Sequence, residues 1–416
     1  MNLKVYPSTI KGEISAISSK SYAHRALICA ALASSPSKIK CDNLSDDINA
    51  TVNCLNGIGA EITYKNKEFF VKPIDVSKAK CEIDCGESGS TLRFMLPIIG
   101  ALGLNIKIIM HGRLPQRPLT PLYEQMEQNG CSFEKKDNYI IISGKLKAAD
   151  YEIEGNISSQ FVTGLLFSLP LIKGKSKIVI KNKFESYSYV LMTLAVLKDF
   201  GIEYSFENNE FALTKNSYHS NDCTVEGDWS NAAFWLCAGA LSEQGIKVTN
   251  LNFNSTQGDK KIIDILKDFG ADVKVDSNSA TIKKSILKGI TVNASDIPDL
   301  VPIICVVASV ASGVTTITNA ERLRIKESDR IKSAVEMIKN VGGDINETAD
   351  GMIINGCALK GGVVNSFNDH RIVMSAAVLS SICENLVEII DSQAVNKSYP
   401  MFFEDFKKLN GNVKEA

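Results

Sequence analysis

Cationic side chains recur at the start of apolar, helix-like segments of this chain. Lys20 and Arg25 open one such segment, Arg93 follows the start of a second, and Arg371 follows the start of another. The amino end of a helix carries a positive partial charge, so a cation there costs about 0.3–1 kcal/mol. Its unpaired N–H groups bind anions readily. The recurrence of these cations therefore indicates that anions bind at the helix starts.

Other polar residues accompany the cations at five of six such starts. Ser21, Ser158, Asp299 and Asp369 also fit the role of helix caps, because Ser and Asp side chains accept hydrogen bonds from first-turn N–H groups. The polar residues at these starts are Lys20, Ser21, Arg25, Gly89, Ser90, Arg93, Ser158, Ser159, Gln160, Asp299, Asp369, His370 and Arg371.

Constrained loops carry further cations. Arg117 lies between Pro115 and Pro118, and Lys397 is followed closely by Pro400. Proline restrains the backbone, although a single loop cation is more often a solvated surface charge. Together with the helix starts, these cations favour a common anion site.

The segment RIKESDRI combines both charges. In a helix, Lys326 and Arg330 share one face and Glu327 neighbours Arg330. The pattern fits a salt-bridged surface helix start, and it also fits a carboxylate held among cations as an acid or base.

A sixfold repeat supplies the elements that position these residues. In each repeat a helix-like segment with one charged face ends in Gly and is followed by a strand-like run, which predicts a left-handed residue just past each helix. The glycines are spaced 69 to 72 residues apart, at Gly59, Gly130, Gly201, Gly270, Gly342 and Gly411.

Each repeat also contains a second helix-like segment that is apolar on nearly every face. Such a helix belongs in an interior, whereas alternating runs such as EITYKNKEFFVKP, YIIISGK, KIVIKN and ATIKK predict strands with one solvated face. We therefore expect helices inside and sheets outside, with three repeats on each side of a boundary near residues 227–229.

The composition excludes several classes of function. Lys and Arg number 46 and Asp and Glu 47, a net charge of −1, so the chain lacks the basic excess that grips nucleic acid. We find neither a signal-peptide core nor an apolar run near the ~18 residues of a membrane span, and we expect a cytoplasmic protein. The eleven cysteines lack metal-ligand spacing, so most should be buried thiols.

The motifs resemble one family from end to end. They match the pattern of the 5-enolpyruvylshikimate-3-phosphate (EPSP) synthase family of enolpyruvyl transferases in the order SKSYAHRAL, GESGSTLR, LPQRP, SSQFVTGLL, IPDLVP, LRIKESDR, NDHRIVMS and NKSYP. The resemblance implies an α/β (α+β) fold, a two-domain inside-out α/β barrel of six βαβαββ repeats with buried helices. The implied domains are residues 19–227, and residues 1–18 with 228–416, with three repeats each and the active site in the cleft between them.

The same resemblance implies an activity. The enolpyruvyl group of phosphoenolpyruvate passes to the 5-hydroxyl of shikimate 3-phosphate and phosphate is released, without metal or organic cofactor. We expect a monomer that acts on these two small substrates, without a nucleic-acid or membrane partner. Asp299, Glu327 and Lys20 are the implied catalytic residues, and which of them moves which proton stays open.

The resemblance also implies two sets of binding residues. Those for shikimate 3-phosphate are Lys20, Ser21, Arg25, Ser158, Ser159, Gln160, Ser186, Asp299 and Lys326. Those for phosphoenolpyruvate are Lys20, Gly89, Arg117, Gln160, Arg330, Arg371 and Lys397.

Three alternatives stay open. The sister UDP-N-acetylglucosamine enolpyruvyl transferases use a Cys in the mobile loop and Asn after the first Lys, whereas this chain has no Cys in HGRLPQRPLTP and has Ser21. A protein similar to the RNA 3′-phosphate cyclases would show a basic excess. A noncatalytic anion-binding protein would not release phosphate from the two substrates.

Overall fold

The chain forms two compact units, each with its own core. The computed structural model describes residues 1–215 and 217–416. Contacts between Cα atoms group Lys20–Val225 into one unit, and Met1–Ser19 with Glu226–Ala416 into the other.

The helices that are apolar all round are buried, as their pattern predicts. In the most apolar of them every residue from Val301 to Ala308 is buried. The inner helices are α1 Lys20–Leu32, α3 Gly89–Leu102, α5 Ser159–Ser168, α7 Trp229–Leu241, α9 Val301–Ala308 and α11 His370–Ser380. The outer helices are α2 Asp46–Gly57, α4 Leu122–Gln128, α6 Tyr187–Asp199, α8 Ile262–Phe269, α10 Arg330–Asn340 and α12 Phe402–Lys408. None of the helices within residues 1–215 and 217–416 has the length and apolar character needed to cross a bilayer.

Short alternating segments form the strands. In chain order they are β1 Leu3–Tyr6, β2 Gly12–Ser15, β3 Ser37–Lys40, β4 Glu61–Lys65, β5 Glu68–Lys72, β6 Glu82–Asp84, β7 Ile106–Ile109, β8 Cys131–Lys135, β9 Tyr139–Gly144, β10 Asp150–Glu154, β11 Lys177–Lys181, β12 Glu203–Glu207, β13 Glu210–Lys215, β14 Cys223–Thr224, β15 Ile246–Thr249, β16 Asp272–Val275, β17 Ala280–Lys283, β18 Thr291–Asn293, β19 Val314–Thr318, β20 Asp344–Glu347, β21 Met352–Asn355, β22 Gly362–Asn365, β23 Val387–Ile390 and β24 Asn412–Glu415.

These strands form six four-stranded sheets in the part of the chain that the structure describes. The orders are β14-β3-β5-β4, β6-β7-β9-β8 and β10-β11-β13-β12 in the first unit, and β2-β15-β17-β16, β18-β19-β21-β20 and β22-β23-β1-β24 in the second. Each sheet combines one parallel pair, such as β10 with β11, and two antiparallel pairs. The expected α/β (α+β) fold of six repeats with buried helices is confirmed.

Two strands pair with a strand of a repeat that is distant in the sequence. β2 precedes α1 in the chain but pairs with β15, with Ile14 opposite Val248. β14 precedes α7 but pairs with β3, with Cys223 opposite Ile39. The chain therefore passes from one unit to the other twice, and β1 lies between β23 and β24.

The repeated glycines mostly end outer helices in the left-handed conformation. The prediction is confirmed, with φ between 86° and 108°, at Gly59, Gly130, Gly201, Gly270 and Gly342. It is wrong at Gly411, because Asn410 takes the positive φ of 71°. Gly411 is required for another reason: a Cβ there would lie 2.1 Å from Cδ1 of Phe406.

The cysteines behave as the sequence predicts. Eight of the eleven are buried, and all are free thiols in the described chain. Burial raises the pKa of Cys305 to about 12, so this thiol is unreactive at neutral pH.

Candidate functional site

The start of α1 lies in the unit of residues 20–225. Lys20 is the first helical residue, and its Nζ lies 2.6 Å from Oδ2 of Asp47. Ser21 already lies within the helix, so its predicted role as a cap is wrong. Its carbonyl oxygen accepts a hydrogen bond from Nη1 of Arg25 at 2.5 Å.

Arg25 joins α1 to the start of α6. Its Nε donates to Oγ1 of Thr193 at 2.9 Å, and its Nη2 donates to the carbonyl oxygen of Tyr189 at 3.0 Å. Burial lowers the pKa of Arg25 to about 10, so the guanidinium keeps its charge at neutral pH. Ser186 precedes α6 with φ of 52°, and its carbonyl oxygen accepts from N of Tyr189. Ser186 and Arg25 are thus linked through the backbone of Tyr189.

The start of α3 is covered by guanidinium groups. A Cβ on Gly89 would lie 2.6 Å from Nη1 of Arg117 and 2.7 Å from Nη1 of Arg93. Nη2 of Arg93 donates to the carbonyl oxygen of Pro118 at 3.0 Å, which ties down the loop that carries Arg117. Glycine is therefore needed at position 89 so that both side chains can approach the helix end.

The start of α5 contacts the start of α3. Ser158 is confirmed as a cap, since its hydroxyl accepts from N of Gln160, and Ser159 is the buried first residue of the helix. The Gln160 side chain accepts from Nη1 of Arg93 at 3.0 Å and donates to Oγ of Ser90 at 2.9 Å. Gly89, Arg117 and Gln160, which the family resemblance assigned together, lie around the side chain of Arg93 at the start of α3.

Arg330 organises the carboxylates of the other unit. Its Nη1 lies 2.7 Å from Oδ1 of Asp299, its Nη2 2.8 Å from Oε2 of Glu327, and its Nε 2.8 Å from Oδ2 of Asp369. Arg330 is only 1% exposed, so the interpretation of RIKESDRI as a salt-bridged surface helix start is wrong. Because α10 begins at Arg330, Glu327 reaches it from the preceding loop rather than from a helical turn.

Asp299 is ionised despite its surroundings. α9 begins at Val301, so Asp299 is not its cap, whereas Asp369 caps α11 as predicted. Burial alone would raise the pKa of Asp299, but the cations Arg371, Lys326 and Arg330 outweigh burial and hold it well below its ordinary value. Arg330 contacts Oδ1 of Asp299, and Nη2 of Arg371 lies 3.2 Å from the other carboxylate oxygen, Oδ2.

At Lys326 burial outweighs the attraction of the neighbouring carboxylates, so the charged form is disfavoured. Burial and the charges of Arg322 and Arg330 lower its pKa to about 8, and Asp299 and Glu327 offset this only in part. An additional anion near Lys326 would therefore stabilise its ammonium form.

Lys397 lies beside the carboxylates that surround Arg330. It ends the short 3₁₀ helix Ser392–Lys397, and its Nζ donates to the carbonyl oxygen of Asn368 at 2.6 Å. Asn368 directly precedes Asp369, which bonds Arg330. This unit thus gathers Asp299, Lys326, Glu327, Arg330, Arg371 and Lys397.

Two carboxylates of these groups were missed by the sequence reasoning. Asp47 looked like an ordinary acidic residue of a first helical turn, and nothing in TQGDKK distinguished Asp259. Burial and the charge of Asp299 raise the pKa of Asp259 to about 7. Asp259 accepts from the hydroxyl of Ser230, whose carbonyl oxygen accepts from Nη1 of Arg371 at 3.1 Å.

The two groups have complementary chemistry. The unit of residues 20–225 presents cations and helix starts, which bind anions. The other unit holds carboxylates among guanidinium and ammonium groups, an arrangement that can both bind anions and move protons.

Comparisons with known proteins agree along the whole chain. The model of the family described as EPSP synthase (3-phosphoshikimate 1-carboxyvinyltransferase) matches residues 5–406. The chain is 43% identical to proteins named 3-phosphoshikimate 1-carboxyvinyltransferase from Clostridium novyi (strain NT) and Clostridium beijerinckii (strain ATCC 51743 / NCIMB 8052), covering 100% of this chain and 98% of each relative.

Solved structures show the same fold. An EPSP synthase from Acinetobacter baumannii matches with a TM-score of 0.82 at 24% identity, covering 100% of both chains. The enolpyruvyl transferase NikO from Streptomyces tendae also has a TM-score of 0.82, at 16% identity, covering 100% of this chain and 98% of that chain. The family match across residues 5–406 and the relatives that are 43% identical over the whole chain establish that the chain belongs to the EPSP synthase family.

Proposed function

We propose that the protein transfers the enolpyruvyl group of phosphoenolpyruvate to the 5-hydroxyl of shikimate 3-phosphate and releases inorganic phosphate. The observation that carries this proposal is the family match from residue 5 to 406, together with 43% identity over the full chain. It favours shikimate 3-phosphate over UDP-N-acetylglucosamine as the acceptor.

The charge of the substrates accounts for the residues we assign. A phosphate monoester carries about −1.5 to −2 at pH 7, so two of them and two carboxylates bring roughly five to six negative charges. For shikimate 3-phosphate we assign Lys20, Ser21, Arg25, Ser158, Ser159, Gln160, Ser186, Asp299 and Lys326. For phosphoenolpyruvate we assign Lys20, Gly89, Arg117, Gln160, Arg330, Arg371 and Lys397.

We further propose that the domains are residues 19–227, and residues 1–18 with 228–416, and that the substrates bind in a cleft between them. Both substrates then meet residues from each domain. Closure of such a cleft excludes water and strengthens each ionic contact.

The proposed chemistry is addition followed by elimination. The 5-hydroxyl oxygen attacks C2 of phosphoenolpyruvate as a proton is added to C3, which gives a tetrahedral ketal. Loss of a proton from C3 then expels phosphate and restores the double bond. Asp299, which the neighbouring cations keep ionised, takes up the hydroxyl proton as the C2–O bond forms and makes that proton acidic, and Glu327, with Lys20, exchanges the proton at C3.

Two further properties belong to this proposal. As the family resemblance implies, we expect the enzyme to work as a monomer in the cytoplasm.

The proposal is tested by phosphate release. The purified protein is supplied with phosphoenolpyruvate and either shikimate 3-phosphate or UDP-N-acetylglucosamine. We expect phosphate to be released when shikimate 3-phosphate is the acceptor and not when UDP-N-acetylglucosamine is. Release with UDP-N-acetylglucosamine instead would assign the sister activity, and release with neither would refute enolpyruvyl transfer.

A further inference from the structure

The outer helix α2 carries a polar face against the inner helix α1. Asp47 and Thr51 are one turn apart on α2, and so are Lys20 and His24 on α1. Asp47 bonds Lys20 at 2.6 Å, and Oγ1 of Thr51 lies 2.6 Å from Nδ1 of His24. Two successive turns of α2 are thus matched to two successive turns of α1.

The same face continues to the start of α3. Oγ1 of Thr51 lies 2.7 Å from Oγ1 of Thr91, which donates to Oγ of Ser88 at 2.8 Å. Ser88 caps α3, whose first residue is Gly89. His24, Thr51, Thr91 and Ser88 are each at most 1% exposed, so these bonds are shielded from competing water.

The direction of these hydrogen bonds is determined by their order. Thr91 uses its proton toward Ser88, so it accepts from Thr51, and Thr51 accepts from Nδ1–H of His24. His24 is neutral, because burial and the charges of Lys20 and Arg25 hold its pKa well below the ordinary value. All the hydrogen bonds in this series therefore run in one direction, from His24 through Thr51 and Thr91 to Ser88.

We infer that α2 is the positioning element of the anion site: Asp47 aims the ammonium group of Lys20, and Thr51 fixes the start of α1 relative to the start of α3. The inference rests on the proposed function in one respect, the role of Lys20 at the substrates. It adds Asp47 and Thr51 as positioning residues, which act through Lys20 and Gly89.

Charge and orientation predict opposite effects of neutralising Asp47. Asp47→Asn keeps the size of the side chain but removes a negative charge beside Lys20, which by charge alone should strengthen binding of an anion. If Asp47 instead aims Lys20, the variant should lose activity, since small misplacements of a reacting group slow catalysis strongly. A fall in activity of Asp47→Asn would therefore indicate an orienting role, and stronger anion binding would indicate an effect of charge alone.

The first experiment compares Asp47→Asn with Asp46→Asn by steady-state kinetics with both substrates. Asp46 is the exposed neighbour in the same helical turn, so its variant has the same change in net charge and in helix-dipole interaction. We expect kcat to fall about 10- to 100-fold in Asp47→Asn, with Asp46→Asn within about twofold of the unmodified protein. Equal behaviour of the two variants, or higher activity in Asp47→Asn, would overturn the inference.

A double-mutant cycle tests whether Asp47 acts through Lys20. In the Lys20→Gln background, Asp47→Asn should cause no further loss of kcat, because the group it aims is absent. Independent, additive losses would overturn the positioning role. Phosphate release by the unmodified protein tests the proposed function separately, since it does not depend on Asp47.

A third comparison tests Thr51. Thr51→Val has nearly the same shape without the hydroxyl, whereas Thr51→Ser keeps the hydroxyl. We expect Thr51→Val to raise KM for phosphoenolpyruvate at least threefold and Thr51→Ser to restore most of the loss. Equal kinetics of Thr51→Val and the unmodified protein would remove Thr51 from the inference.

Discussion

At the scale of single residues, Arg330 decides the electrostatics of the carboxylate group. Asp369 is fully buried, and Arg330 supplies its counter-charge while it also bonds Asp299 and Glu327. Removal of one partner from a buried pair usually costs about 3–5 kcal/mol, so this cluster is a structural requirement as well as a chemical one. The pKa of Lys326 is lowered chiefly by burial and further by the charges of Arg322 and Arg330.

The lowered pKa of Lys326 makes substrate affinity depend on pH. A bound anion favours the ammonium form, and the pKa without ligand is about 8, so affinity for shikimate 3-phosphate should fall as the pH rises above 8. Calorimetric titration at pH 7 and pH 9 measures this, and Lys326→Arg should show little loss because Arg stays charged. The same loss in Lys326→Arg would assign the dependence to another group.

The lowered pKa also affects folding. The ordinary pKa of Lys is 10.5, so between pH 8 and pH 10.5 the unfolded chain binds the proton more tightly than the folded one. The contribution of Lys326 to the free energy of unfolding therefore rises with pH across this window.

Glu327→Gln separates chemistry from binding. The amide can keep a hydrogen bond to Arg330 but cannot exchange a proton, so kcat should fall about 100-fold or more while affinity for shikimate 3-phosphate changes only a few-fold. The control is Glu321→Gln, at an exposed position in the 3₁₀ helix Glu321–Ile325 that precedes the loop of Glu327. An unchanged kcat would remove Glu327 from the chemistry.

At the scale of elements, the amino ends of the inner helices bring the polar residues together. Ser158 and Asp369 cap their helices, as their residue types predict. Ser21 and Asp299 do not, because α1 starts two residues earlier and α9 one residue later than they would require. Residue type reveals that a helix starts nearby, but packing decides at which residue.

Gly89→Ala tests the close approach at the start of α3. The new Cβ would displace the guanidinium groups of Arg117 and Arg93, so we expect KM for phosphoenolpyruvate to rise about tenfold or more with little loss of stability. Gly313→Ala is the matched control, since nothing lies within 4 Å of its Cβ. That variant can lower the melting temperature through its positive φ but should leave KM unchanged. An equal KM in both variants would contradict the role of Gly89.

At the scale of the whole molecule, strand exchange decides which segments fold together. β1 and β2 belong to the unit that also contains residues 226–416, and β14 closes the sheet of β3. Parallel pairing of β2 with β15 joins residues more than 230 positions apart. No local pattern encodes such a pairing; the family resemblance alone anticipated that the first strand belongs with the second half.

The sequence by itself determined the repeat, the inner helices and most of the helix-ending glycines. These features are local: an all-round apolar segment is buried wherever it packs, and a left-handed residue after a helix favours Gly. Only the tertiary structure decided which charges meet. Lys20 finds Asp47 across 27 positions and Arg330 finds Asp369 across 39, through side chains on different elements. Their pairing depends on distance and burial, which packing creates and spacing along the chain does not record.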